Sequence, residues 1–219
     1  MDNTNFTNFR GRFLVLDGPD GAGKSTQIAL LARRLRDAVD VVSVRDPGGT
    51  VIGDRIRGIL LDNAHPDMSV ACELLLYMAS RAQLVAKVIR PALERGACVI
   101  CDRYISSTVA YQGAGGTDIR AIRQVAEVAV GGLWPDMTVI LDLPAETGLS
   151  RVGRRGGDAK PGTLDRMEQK GLEFHRRVRD LFLQQAGERP DDFAVVDATQ
   201  AAEAVHESVW TAVMKRLGA

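Results

Sequence analysis

The feature that most constrains this chain is the glycine-rich segment at residues 18–25, GPDGAGKS, which fits the pattern G-x-x-x-x-G-K-[ST] in full. It follows an apolar run at residues 13–16 and precedes a stretch, 28–35, in which apolar residues recur at helical intervals. A strand, a glycine loop and a helix in this order favour phosphate binding over a chance glycine-rich turn. Backbone N–H groups of such a loop and the helix N-terminus converge on an anion, Lys24 adds a full charge, and Ser25 offers a hydroxyl to Mg²⁺.

Composition excludes several other classes of protein. The chain has 219 residues, 45% hydrophobic and 26% charged, the balance of an ordinary globular domain. Lys plus Arg equals Asp plus Glu, 28 against 28, so no net field favours a nucleic acid polymer or an anionic membrane as partner. No apolar run reaches transmembrane length. The three cysteines lack zinc spacing and are interpreted as reduced structural thiols, which fits a cytoplasmic protein.

The chain alternates predicted strands with predicted helices. Strands are predicted at 13–17, 41–44, 97–101, 137–141 and 193–196, and helices at 24–38, 51–61, 69–95, 105–111, 118–130, 145–152, 163–186 and 201–217. The first, third and fourth strands are continuous apolar runs, which indicates burial on both faces of a parallel sheet. We therefore predict an α/β fold with helices on both sides of the sheet. Residues 12–219 are predicted to form a single domain after a flexible N-terminal extension, 1–11, and Pro91 should kink or end its helix near Arg90.

Polar residues follow the strands at the edge where ligands bind in such sheets. Asp102 comes directly after the third strand, where a carboxylate can hold Mg²⁺ opposite Ser25. The next residue, Arg103, can donate paired hydrogen bonds to two phosphate groups. The alternative is a surface ion pair between these two neighbours.

A segment at about 151–166 combines glycines with arginines. Arg151, Arg154 and Arg155 are the cations, and a mobile loop that carries them suits a lid that closes over phosphates. The alternative is a solvated basic loop. Tyr77 and Arg81 are four residues apart and share a helix face, which suits a stacked pyrimidine. On spacing alone, however, a half-buried tyrosine beside a solvated arginine is favoured for this pair.

Four segments resemble the thymidylate kinase family and occur in that family's order. They are FLVLDGPDGAGKSTQ at 13–27, RDPGGT at 45–50, DRYISSTVAYQG at 102–113 and LDRME at 164–168. The resemblance implies a three-layer P-loop NTPase fold, with a five-stranded parallel sheet flanked by helices, and a homodimer. It also implies transfer of the γ-phosphoryl group of ATP to dTMP with Mg²⁺, in a bacterial type with a basic lid.

The resemblance also implies roles for individual residues. ATP would be held by Gly18, Pro19, Asp20, Gly21, Ala22, Gly23, Lys24, Ser25, Thr26 and Arg151. The residues implied in catalysis are Lys24, Arg103, Arg154, Arg155 and Asp20, and the implied metal ligands are Ser25 and Asp102. The acceptor dTMP would be held by Asp20, Arg57, Tyr77, Arg81, Arg103, Thr108, Tyr111 and Gln112. Within that set, Tyr77 would stack on thymine, Arg81 would bond its O4, and Tyr111 would crowd the ribose 2′ position.

The sequence departs from the family pattern at two carboxylates. Asp17 and Asp46 stand where the family more often has glutamate, and each shortens the side chain by one methylene. Two alternatives stay open. Another P-loop nucleotide or nucleoside kinase would need a general base for a hydroxyl acceptor, and Asp46 is a candidate. A GTP-binding switch protein usually carries an Asn-Lys-x-Asp motif, which this sequence lacks.

Overall fold

The computed structural model describes residues 6–155 and 164–218. Its centre is a five-stranded parallel sheet in the order β2-β3-β1-β4-β5. The strands are β1 (Phe13–Asp17), β2 (Val41–Arg45), β3 (Cys98–Asp102), β4 (Met137–Asp142) and β5 (Phe193–Asp197). The predicted α/β class, the parallel sheet and its flanking helices are confirmed.

The three strands with continuous apolar sequences occupy the middle of the sheet. Every residue of β1 is buried, as are all but the last residue of β3 and of β4. The residues of the edge strands β2 and β5 are half-buried or exposed, except for one buried residue in β5. The sequence pattern thus distinguishes central strands from edge strands, because only the central ones are covered by helices on both faces and by neighbours on both sides.

Helices cover both faces of the sheet. They are α1 (Lys24–Leu35), α2 (Val51–Leu61), α3 (Val70–Leu84), α4 (Arg90–Glu94), α5 (Ile105–Ala114), α6 (Ile119–Val130), α7 (Ala145–Arg155), α8 (Leu172–Glu188) and α9 (Ala202–Leu217). Side chains of β1 alternate between the two faces. Leu14 and Leu16 pack with α1 and α9, whereas Phe13 and Val15 pack with α3, α5 and α6. No helix in these described ranges is long and apolar enough to span a membrane.

Residues 6–9 differ from the predicted flexible extension. They form a 3₁₀ helix, and Phe9 is fully buried. The Phe9 ring stacks on Trp210 of α9, with centroids 6.0 Å apart, and Phe6 lies 5.9 Å from the same ring. The prediction of flexibility is therefore wrong for this part of the segment, because two phenylalanines anchor it to a distant helix. Residues 1–5 lie outside the described ranges.

Two of the predicted helices differ most from the structure. The helix predicted at 69–95 contains a π-helical turn, Val85–Ile89, directly before the segment that contains Pro91. Proline lacks an N–H and its ring crowds the carbonyl four residues earlier, so a wider turn at that point accommodates it. The helix predicted from residue 163 begins only at Leu172. Asp165 caps a separate turn, where its Oδ1 accepts hydrogen bonds from the N–H groups of Met167 and Glu168 at 2.8 and 2.9 Å.

Candidate active site

The glycine loop lies between β1 and α1 and wraps around the ammonium group of Lys24. Lys24 Nζ donates hydrogen bonds to the carbonyl oxygens of Gly18, at 3.1 Å, and of Pro19, at 2.7 Å. Burial, with repulsion from Arg103, lowers the pKa of Lys24 to about 8. At Gly18, φ is +131°, and an added Cβ would lie 2.4 Å from the carbonyl oxygen of Leu141 in β4. The loop is therefore packed directly on the sheet and holds a buried cation.

Arg103 connects this loop to helix α5. It follows β3 with φ of +69°, a left-handed conformation that is unusual for a residue with a side chain. Its Nη1 donates to the carbonyl oxygen of Gly18 at 3.0 Å and to Ser107 Oγ at 2.9 Å, and its Nη2 donates to Asp20 Oδ1 at 2.5 Å. The guanidinium is thus fixed beside Lys24, on the side of the loop that faces α5.

Asp17, the last residue of β1, holds the same region in place through hydrogen bonds. The carboxylate is fully buried, and it accepts hydrogen bonds from Ser106 Oγ at 2.6 Å, from Ser107 Oγ at 2.7 Å and from the N–H of Gly18 at 2.9 Å. Arg103 Nη1 lies 3.4 Å from its Oδ1. In the sequence, Asp17 is distinguished only by its departure from a family pattern. The structure identifies it as the group that joins β1, the loop and α5.

Asp20 and Tyr111 form a second connection between the loop and α5. The Tyr111 hydroxyl donates to Asp20 Oδ2 at 2.6 Å, and Arg103 lies over the Tyr111 ring at 5.1 Å. Burial acts to raise the pKa of Asp20, but the charges of Arg103 and Lys24 and the Tyr111 hydrogen bond together lower it. Burial raises the pKa of Tyr111, so the phenol stays protonated and remains a donor.

All eight side chains predicted to hold the acceptor line one pocket beside the loop. They are Asp20, Arg57, Tyr77, Arg81, Arg103, Thr108, Tyr111 and Gln112. The wall is completed by residues that sequence reasoning had not assigned to the pocket, among them Leu61, Ser107 and Met167. Elements α2, α3 and α5, and the turn that follows residue 164, supply this lining. The pocket therefore opens directly beside the charged end of the glycine loop.

Arg81 is not the solvated arginine that spacing alone favoured. It is 1% exposed, forms an ion pair with Asp46, and donates to Thr108 Oγ1 at 3.0 Å and to the carbonyl oxygen of Tyr104 at 3.1 Å. Burial raises the pKa of Asp46 against the opposing effect of Arg81, and Asp46 Oδ1 has no hydrogen-bond partner within the described ranges. The guanidinium is held in one orientation at the base of the pocket.

A buried cluster also orients Gln112. Its Nε2 donates to Glu73 Oε1 at 2.8 Å, and Arg166 Nη2 lies 2.5 Å from Glu73 Oε2. Arg57 donates to the carbonyl oxygen of Pro47 at 3.1 Å, and burial lowers its pKa. Because Arg166 comes from the end of the predicted lid segment and Glu73 from α3, the pocket wall depends on contacts between distant parts of the chain.

Comparison with known proteins assigns the family. The family model described as thymidylate kinase matches residues 16–209. The chain belongs to the thymidylate kinase family. It is 50% identical over 209 residues to the thymidylate kinase of Deinococcus radiodurans, covering 94% of this chain and 98% of that one. It is 49% identical over 209 residues to the enzyme of Thermomicrobium roseum, covering 93% and 96%.

A solved thymidylate kinase has the same fold. The crystal structure of the Ehrlichia chaffeensis protein matches with a TM-score of 0.76 at 30% identity, covering 94% of this chain and 99% of that chain. The predicted resemblance to the thymidylate kinase family is therefore confirmed over nearly the whole chain.

The two residues predicted to bind the metal ion line one groove of the protein. Ser25 and Asp102 line the same groove beside β2. Asp102 Oδ1 is buried without a hydrogen-bond partner in the described part of the chain. A buried carboxylate oxygen that accepts no hydrogen bond and a hydroxyl group in the same groove are oxygen ligands that suit a hard divalent cation.

The predicted lid is described only in part. Arg151 extends from α7 to the carbonyl oxygens of Gly21, at 3.4 Å, and Ala198, at 3.2 Å, and lines a pocket with Thr26. Arg154 is exposed on the same helix. The side chain of Arg155 and residues 156–163 lie outside the described ranges. Arg151 is thereby placed against the glycine loop, whereas the contacts of the other two arginines stay predictions.

Proposed function

We propose that this member of the thymidylate kinase family transfers the γ-phosphoryl group of ATP to dTMP and forms dTDP and ADP with Mg²⁺ bound. The single observation that carries the proposal is the position of Arg103. It contacts both the loop, through the carbonyl oxygen of Gly18, and the acceptor pocket, through Asp20 and Tyr111. One guanidinium placed between a phosphate-binding loop and a second nucleotide pocket can contact both phosphate groups at once.

On the donor side, residues 18–26 would hold the ATP phosphates. The backbone N–H groups and the N-terminus of α1 supply partial positive charge, and Lys24 supplies a full charge. Arg151 and Thr26 line a separate pocket beside the first turn of α1. We assign this pocket to the nucleoside part of ATP. The donor is thus proposed to lie between the loop and α7.

Mg²⁺ would be held by Ser25, and by Asp102 directly or through water. When bound, the ion offsets negative charge on the donor phosphates and orients them. The groove that these two side chains share and the unpartnered oxygen of Asp102 support the assignment.

On the acceptor side, Tyr77 is proposed to stack on thymine while Thr108 and Gln112 contact the base edge. Arg81 would bond the thymine O4, and its ion pair with Asp46 holds the guanidinium in place for that contact. Arg57 would bind the acceptor phosphate. Tyr111 would contact the ribose near the 2′ position and so favour a deoxynucleotide.

The chemistry requires no strong base, because the acceptor oxygen of a nucleoside monophosphate is already ionised. Catalysis then depends on alignment and on stabilisation of the charge on the transferred group. Lys24 and Arg103 are the fixed cations beside the glycine loop to which we assign this role, and Asp20 orients Arg103. Arg154 and Arg155 are proposed to add positive charge when the lid closes.

We further propose that the enzyme is a cytoplasmic homodimer. Exposed apolar side chains occur on three neighbouring helices: Ile52 and Ile59 on α2, Val70 and Leu75 on α3, and Val128 on α6. Burial of such a face against a second copy removes apolar surface from water. The two buried cysteines of β3, Cys98 and Cys101, are free thiols, which suits a reducing compartment.

The test is a coupled assay of ADP release with ATP as donor and a panel of acceptors. The panel contains dTMP, dUMP, the other deoxynucleoside monophosphates and thymidine. We expect dTMP to give the highest kcat/KM. Turnover of thymidine in preference to dTMP would instead indicate a nucleoside kinase, and GTP-selective binding without any acceptor would indicate a switch protein.

A further inference from the structure

Helix α7 meets the glycine loop through two glycines whose backbones touch. A Cβ built on Gly148 would lie 2.3 Å from the carbonyl oxygen of Asp20, and one built on Gly21 would lie 2.4 Å from the carbonyl oxygen of Gly148. Both distances fall below the 3.0 Å that real Cβ contacts essentially never undercut. Since the atoms in the way are backbone atoms, a side chain at either glycine requires that the helix or the loop move.

The requirement for glycine at position 148 comes from this contact and not from the helix. Gly148 lies inside α7, where glycine is less favourable than alanine. Gly153 lies in the same helix and has nothing within 4 Å of an added Cβ. Gly21 has φ of +77°, so substitution there would strain the backbone in any case. A substitution at Gly148 therefore alters the contact between α7 and the loop without forcing an unfavourable φ angle, as a substitution at Gly21 would.

The contact lies close to the cations of α7. Arg151, three residues after Gly148, already reaches the carbonyl oxygen of Gly21. Arg154 follows about 9 Å farther along the axis than Gly148, at 1.5 Å per residue. Both arginines lie on the same helix as Gly148, so a displacement of α7 at that contact would change the position of both guanidinium groups relative to the loop.

We propose that Gly148 is a positioning residue, and that its backbone contact with Asp20 and Gly21 sets the distance between the arginines of α7 and the donor phosphates. The inference rests on the proposed phosphoryl transfer, because it assigns those arginines to the donor side. The contact also supports the backbone of Asp20, whose side chain orients Arg103. A displacement on the order of 1 Å at such a site reduces turnover by about 10²-fold.

The test compares Gly148→Ala with Gly187→Ala. Gly187 is also a helical glycine, in α8, and has nothing within 4 Å of an added Cβ, so it controls for the effect of alanine on a helix. We expect Gly148→Ala to lower kcat at saturating ATP and dTMP by about 10- to 100-fold, with a cooperative thermal unfolding transition. Gly187→Ala should keep kcat within about twofold, because alanine there meets no other group and leaves the site unchanged.

Hydrogen exchange of the unliganded protein gives a readout that does not depend on activity. The amides of residues 145–155 should exchange faster in Gly148→Ala than in the parent chain, while those of α8 should not. If the parent chain fails to phosphorylate dTMP, the proposed function is wrong, and the exchange experiment still reports whether the contact fixes α7.

Two results would overturn the inference. The first is a kcat for Gly148→Ala within about twofold of the parent value, since the position of α7 would then not matter for turnover. The second is a variant that no longer folds, judged by circular dichroism, because the contact would then be a requirement of folding and not a device that positions the arginines. Faster exchange together with reduced turnover per folded molecule is the outcome that supports it.

Discussion

Arg103 Nη2 lies 2.5 Å from Asp20 Oδ1, so an ion pair joins the end of β3 to the glycine loop. Asp20 in turn accepts a hydrogen bond from Tyr111, and Arg103 lies over the ring of that tyrosine. The three side chains form a bridge from the donor loop to the acceptor pocket. In the proposed reaction, this bridge would place one cation within reach of both anionic nucleotides.

Arg103→Ala should lose turnover by about 10²- to 10³-fold, the usual cost of removing a donor aimed at transition-state charge. Steady-state kinetics with ATP and dTMP measure the loss, and circular dichroism checks the fold. Arg123→Ala is a matched control, because Arg123 is an exposed arginine whose ion pair with Glu188 lies away from the loop. A kcat for Arg103→Ala close to that of the control would refute the role assigned to the bridge.

The pH dependence of kcat/KM for ATP should follow the protonation of Lys24. Burial lowers its pKa to about 8, so the ammonium is charged below that pH and neutral above it. Only the charged form attracts phosphate, and kcat/KM for ATP should therefore fall as the pH rises through about 8. In Lys24→Arg the charge persists at higher pH, so whatever rate remains should lack this alkaline limb. A limb of unchanged position in that variant would assign the titration to another group.

Asp17→Asn should destabilise the fold and loosen Arg103 together. The carboxylate accepts hydrogen bonds from two serines and one backbone N–H. In asparagine, an NH₂ group replaces one of the two carboxylate oxygens, so a hydrogen-bond donor would face the donors that now contact Asp17. We expect the free energy of unfolding to fall by about 1–3 kcal/mol, measured by urea denaturation. Asp191→Asn is the control, because Asp191 is an exposed carboxylate in the turn before the edge strand β5. Equal stabilities for the two variants would contradict the structural role of Asp17.

Self-association should depend on the exposed apolar face. Leu75 is 58% exposed on α3, and Leu75→Glu places a charge in the proposed interface between copies. Sedimentation equilibrium is expected to give a dimer for the parent chain and a shift toward monomer for the variant. Val195→Glu, on the edge strand at 48% exposure, is the control and should leave the dimer intact. A parent chain that sediments as a monomer at micromolar concentration would end this proposal.

Discrimination between dTMP and dUMP should reflect one methyl group. Burial of a single methyl in an apolar part of a pocket is worth roughly 1–3 kcal/mol, or about 10- to 200-fold in kcat/KM. Leu61 and Met167 supply apolar surface in the acceptor pocket. Competition between the two nucleotides in one reaction measures the ratio directly, and equal values would argue against a fitted thymine site.

Local sequence patterns were enough to predict the sheet and the loop. Strands β1, β3 and β4 are continuous apolar runs, and the pattern at residues 18–25 determines both its own turn and the helix that follows. These features depend on neighbours in the chain, so a sequence read in order contains them. The eight residues predicted to hold the acceptor line one pocket. The carboxyl ends of parallel strands meet at one edge, which accounts for the position of Asp20 after β1 and of Arg103 and α5 after β3.

Contacts between distant segments could not be predicted in the same way. Nothing local pairs Arg81 with Asp46, which lies 35 residues away, and spacing alone favoured a solvated arginine. The burial of Phe9 against Trp210 and the contact of Gly148 with the glycine loop have the same origin. Each depends on how elements pack in three dimensions, and a single sequence without aligned relatives gives no signal for such pairs.

The most direct test of the central claim follows the phosphoryl group itself. ATP labelled at the γ-phosphate is incubated with the protein, Mg²⁺ and dTMP, and the products are separated by chromatography. The account predicts that label moves from ATP to dTDP, and that Arg103→Ala slows this transfer by about 10²- to 10³-fold while the protein stays folded. Label released as inorganic phosphate, with no labelled dTDP formed, would contradict the proposal that the loop and the pocket hold donor and acceptor end to end.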